Sequence, residues 1–123
     1  MSTSIEKILL EALQEGTGVP TFMEVPEDPP ARYIILERTG GGEAGYSYRT
    51  ARIAVQSCVG RRDDGGSLLD AAELNEEVLD LMRDIQYKEN AIRSCELNST
   101  YNFTDTGTKR YRYQAVFDLV YFA

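Results

Sequence analysis

At 123 residues the chain has room for one domain that buries its own core without disulfides or metals. Its 42% hydrophobic content sets it apart from disordered sequences, and a net charge of −7 excludes a protein that wraps nucleic acid over its whole surface, because phosphate binding needs surplus Lys and Arg. There is no His to serve as a general base or to complete a zinc site with Cys58 and Cys95, which belong to no C-x-x-C pair and read as buried small hydrophobes in a reducing compartment.

The N-terminus shows no basic n-region, and no apolar run reaches the length of a membrane span. A cytosolic chain is expected, and Asn98-Ser99-Thr100 and Asn102-Phe103-Thr104 are then chance matches to a glycosylation pattern. Thr3 and Glu6 have the spacing of a capping box, followed by an apolar stripe of Ile5, Ile8, Leu9, Ala12 and Leu13. Gly16 and Gly18 stop this first helix, and Pro20 prevents its resumption.

Three strands are expected next. Residues 21–25 form a short one, and Glu27-Asp28-Pro29-Pro30 makes a rigid turn or arm. Residues 32–39 contain Tyr33-Ile34-Ile35-Leu36, apolar on both alternating faces, as in a central strand. Gly40, Gly41, Gly42 and Gly45 predict a flexible loop before a long strand over 46–58, and the pair reads as a hairpin. A polar loop then leads to Ser67, an N-cap for a helix whose stripe is Ala71, Leu74, Val78, Leu81, Met82 and Ile85, opposite Glu73, Glu76, Glu77 and Asp80.

Strands over 91–103 and 110–122 close the chain. The order predicts an α+β fold: a mainly antiparallel or mixed five-stranded sheet with two helices on one face. In the last strand Tyr111, Tyr113, Ala115, Phe117, Leu119 and Tyr121 point one way, and Arg112, Gln114, Val116, Asp118, Val120 and Phe122 the other. The second set is more apolar than a solvated face requires, so a further layer or another chain should cover it.

The motifs tested for chemistry fail on context. Gly40 to Gly45 match G-x-G-x-x-G, but Tyr46-Ser47-Tyr48-Arg49-Thr50 follows where a helix must open. Gly107-Thr108-Lys109 has the wrong residue order for a phosphate loop. Asp63-Asp64-Gly65-Gly66 lacks the alternating spacing of a calcium loop. The run Lys109-Arg110-Tyr111-Arg112-Tyr113 mixes cations with aromatics, yet strand alternation sends them to opposite faces. Asp118, in an apolar strand, needs a partner, and a salt bridge to an Arg across a subunit boundary is expected. No nucleophile stands beside a base, so neither catalysis nor a cofactor nor a metal site is expected.

Met23-Glu24-Val25-Pro26, Leu36-Glu37-Arg38-Thr39-Gly40-Gly41, Ile53-Ala54-Val55-Gln56-Ser57, Tyr101-Asn102-Phe103 and Arg112-Tyr113-Gln114-Ala115-Val116-Phe117-Asp118-Leu119 together give the chain a likeness over nearly its whole length. It resembles the tail terminator, or tail completion, proteins of long-tailed bacteriophages with non-contractile tails. The resemblance implies an α+β subunit of a ring, usually hexameric, in the virion at the head-proximal end of the tail, made in the cytoplasm of the host bacterium. Such a ring stops tail-tube polymerisation and meets the head-completion or connector proteins, so its partners are copies of itself, the tube protein and that connector. Copies at −7 each would give an acidic channel through which DNA slides without specific binding. On that reading the glycine loop becomes a projecting arm, and Arg38, Gly41, Gly42, Tyr46, Tyr48, Arg49, Arg112 and Asp118 are the candidate subunit or tube contacts, Arg and Tyr being the residues that dominate buried interfaces. The alternatives are another head–tail joining component, or a monomeric or dimeric binding module.

Overall fold

The computed structural model describes residues 4–61, 65–107 and 110–122. Expectations that rest on Thr3, Asp63, Asp64, Thr108 and Lys109 lie outside the described residues. Helix α1 (Ile5–Thr17) is capped by Ser4, whose hydroxyl accepts the Lys7 N–H at 3.2 Å, in place of the Thr3 expected from the sequence. Gly18 ends it in the left-handed conformation, φ 70°, and donates its N–H to Gln14 O. Gly16 does not stop the helix. It lies inside α1, where a Cβ would collide with Leu81, so its role is close helix packing.

Strand β1 is only Thr21–Phe22, shorter than the expected 21–25. Met23 and Val25 are exposed, and the prolines beyond them lack the N–H groups a ladder needs. Strand β2 (Arg32–Glu43) pairs antiparallel with β3 (Tyr48–Arg61). This corrects the glycine reading: Gly40, Gly41 and Gly42 are strand residues, opposite Arg52, Ala51 and Thr50, and the turn is confined to 44–47, with Gly45 at φ 84°. Glycine's local bias toward loops is overridden by the ladder, which bulges between Arg38 and Gly40 to accommodate the run.

Helix α2 (Leu68–Lys88) opens at Ser67, whose hydroxyl accepts the Asp70 N–H at 3.1 Å. Strands β4 (Ile92–Asn102) and β5 (Arg110–Phe122) complete a mixed sheet of order β1-β2-β3-β5-β4, in which only β1 and β2 run parallel. Because β1 covers β2 only at Ile34 and Ile35, the strand expected to be central is an edge from Leu36 onward.

Both helices pack on one face of the sheet, and this layer is the core. Ile5, Leu9 and Leu13 of α1 and Leu74, Val78, Met82 and Ile85 of α2 meet Ile34, Leu36, Ile53, Val55, Ala115, Phe117 and Leu119. Burial of side chains of this size contributes roughly 1.5–3 kcal/mol each. The helix-facing set of β5 is therefore buried as its alternation requires from Ala115 to Tyr121, while Tyr111 and Tyr113 stay half-buried. Cys58 is buried and Cys95 only partly so. No helix among the described residues is long and apolar enough to cross a membrane.

Candidate functional site

Period-two alternation leaves the other face of the sheet without a helix. Val116 and Val120 are half-buried there by their neighbours, Phe122 is exposed, and Tyr33, Ile35 and Phe22 form a small apolar cluster at the β1–β2 corner. Across its middle runs a groove of about 570 Å³, whose walls include Gly40, Gly42, Thr50, Arg52, Glu96 and Asp118.

The groove floor carries one row of residues in direct register across four strands: Gly40 opposite Arg52, Arg52 opposite Asp118, Asp118 opposite Glu96. Arg52 Nε donates to Asp118 Oδ1 at 2.9 Å, and Asn98 Nδ2 donates to Oδ2 at 3.0 Å. The amide hydrogen bond from Asn98, with that from Arg52, holds the Asp118 carboxyl below its ordinary value of 3.8. The Arg that Asp118 needs is thus supplied by its own chain, which corrects the expectation of a partner across a subunit boundary. Glu96 has a like charge directly opposite and no ion pair among the described residues.

Tyr48 lies at the β4 N-terminal end of this face, its ring 5.1 Å from that of Phe122 and 4.7 Å beneath the Arg93 guanidinium. Arg112 lies at the other end, 4.6 Å over the Phe103 ring and donating from Nε to Phe103 O. Tyr46 is fully exposed in the hairpin turn and Arg49 is exposed opposite Glu43.

Two of the expected contacts have tasks within the chain. The Arg38 guanidinium donates to Thr50 O at 3.2 Å and Gly40 O at 3.3 Å and approaches Glu6 at 3.7 Å, so it staples the bulge to α1. Gly41 lies beneath it, where a Cβ would stand 2.5 Å from Thr50 O, leaving no room for a side chain. Gly42 has room, with Thr50 Oγ1 at 3.7 Å from an added Cβ. The structure therefore gathers Gly41, Gly42 and Asp118 along the groove, sets Tyr48 and Arg112 at the two ends of the sheet face, and leaves Arg38, Tyr46 and Arg49 outside the groove.

Sequence reasoning passed over Arg52, Glu96, Asn98 and Arg93. Alternation alone puts Arg52 on the face of Tyr48 and Thr50, but only the register aligns it with Asp118. The G-x-G-x-x-G run leads into β3 and opens no helix, so it offers no N-terminus to a pyrophosphate. A scan against protein-family models finds no matching family, and a search of curated proteins finds no match.

Proposed function

We propose that this chain is a structural subunit that assembles with copies of itself into a ring on the end of a phage tail tube, ends tube polymerisation and presents a surface to the head-completion proteins. The observation that carries the reading is the sheet face that no helix among the described residues covers, where Val116, Val120 and Phe122 share a surface with the Arg52–Asp118 pair and stacked Arg and aromatic side chains. Apolar area with polar and cationic anchors is the composition of a protein interface. Four of the five segments that resemble tail terminators fall on or at the end of β2, β3, β4 and β5, so the likeness concentrates on this sheet.

The acidic face of α2, with Glu73, Glu76, Glu77 and Asp80, is exposed and suits a surface past which DNA moves. The test is to add the purified chain to the polymerising tube protein of its phage and image the products. Tubes that stop growing and carry a cap at one end are expected; unchanged elongation at every ratio of chain to tube protein refutes the proposal.

A further inference from the structure

We propose that copies of this chain join edge to edge, β4 of one copy adding to the bare 36–43 edge of β2 in the next, with Glu96 reaching over the partner's Gly40 to the partner's Arg52. This deepens the assembly reading by naming the surfaces through which copies meet, and its test needs no tail tube.

The sheet order leaves two edges without a neighbouring strand: β4, where Gln86 Oε1 of α2 caps one backbone N–H, that of Cys95, at 3.1 Å, and β2 beyond the two residues that β1 covers. Residues 37–43 of β2 are all exposed, and neither that stretch nor β4 contains the Lys or Pro with which edge strands are commonly defended. Both edges are bulged near the middle, between Arg38 and Gly40 and between Leu97 and Ser99, at neighbouring levels of the sheet, and β4 is irregular again near its start, between Ile92 and Ser94. Three successive antiparallel pairings make β2 and β4 run in opposite directions. A second copy placed beside the first in the same orientation therefore offers an antiparallel strand, the commoner pairing in sheets.

Glycine at positions 40 and 42 has no internal reason. Neither residue has a positive φ, and an added Cβ would meet nothing nearer than 3.9 Å and 3.7 Å respectively. Glycine weakens a strand, and inside one it often marks the close approach of another backbone or ligand.

The charge row supplies the identity of the partner. Within one chain it reads Gly40, Arg52, Asp118, Glu96, ending on two like charges with the cation already on Asp118. Repeated from copy to copy, the row brings Glu96 next to the partner's Gly40, with the partner's Arg52 one strand further. Two strand spacings of about 4.8 Å separate the charged residues, and the missing side chain between them leaves the path open. Arg52 uses Nε for Asp118, and among the described residues its Nη groups make no hydrogen bond. The other end of the guanidinium is thus free for Glu96.

The test is disulfide capture in the full chain. In the G40C/E96C double variant the new thiols stand three strand spacings apart, about 14 Å, beyond the roughly 7 Å Cα reach of a disulfide, so any bond between them joins two chains. Mild oxidation is expected to give a ladder of covalent oligomers from the double variant, and a dimer from G40C mixed with E96C that neither gives alone. Absence of these products, or equal dimer from either single variant alone, overturns the proposal.

A second variant separates docking from folding. An added Cβ at position 40 has room in its own chain, and valine favours a strand, so the melting temperature of G40V should not fall while association by sedimentation velocity is lost; retained association contradicts the inference. Cross-links without tube capping sink the tail-ring reading alone, and capping without cross-links sinks this one alone.

Discussion

Arg52 and Asp118, 66 positions apart in the chain, meet at 2.9 Å on the sheet face that no helix covers. The pair joins β3 to β5, and Asn98 adds β4 through the second carboxylate oxygen. Both side chains are about half-exposed, so water screens the attraction and the pair sets geometry more than stability.

Asp118→Asn is therefore expected to lower stability at neutral pH by no more than ~1 kcal/mol, measured by urea denaturation. Because the native carboxyl titrates below its ordinary value of 3.8, its stabilisation is present above that pH and lost as pH falls through the native value. The gap between the two proteins should then close in acid. A gap that widens in acid contradicts the assignment.

Gly41→Ala drives a Cβ against Thr50 O and the Arg38 guanidinium and should cost about 1–3 kcal/mol, the usual penalty of overpacking. Gly42→Ala meets only ordinary contacts and should change monomer stability by less than ~1 kcal/mol, in the stabilising direction. Equal losses in the two variants, read from thermal unfolding, would be inconsistent with this packing.

The core is sensitive in a different way. Leu74 is wholly buried between α2 and the sheet, so Leu74→Ala should cost about 2–5 kcal/mol. Ser57 is equally buried, but its hydroxyl has no partner among the described residues. Ser57→Ala removes an unsatisfied polar group and should leave stability unchanged or raise it by ~1 kcal/mol.

Stability should fall in alkali. Burial raises the Cys58 thiol from 9.0 to about 11, and burial together with the nearby Asp118 and Glu96 raises Cys95 from 9.0 to about 12. A raised native value means that the thiols' contribution is complete below pH 9.0 and is lost as pH climbs through about 11 and 12. A Cys58→Ala, Cys95→Ala double variant should show a shallower decline of melting temperature over that range. An identical slope would place the alkaline transition elsewhere, with Tyr33, also raised chiefly by burial, the next group to test.

Helix α2 was legible because its information is local: Ser67 caps it and Ala71, Leu74, Val78, Met82 and Ile85 repeat at helical spacing. The two-faced character of β5 followed from alternation for the same reason. The Gly40–Gly42 run was misread because a loop is what glycine favours locally, and the ladder to Thr50, Ala51 and Arg52 that makes it a strand is specified elsewhere in the chain. Asp118 was recognised as a residue needing an Arg. Which Arg depends on the β3–β5 register, which fixes the partner across 66 positions and is not written in either strand alone.

The measurement closest to the central claim is the length of tails made by the phage without this chain. Negative-stain images of such lysates should show tail tubes that overgrow their normal length and lack heads, with normal length restored when the chain is supplied in trans. Tails of unchanged length, with or without heads attached, would contradict the account.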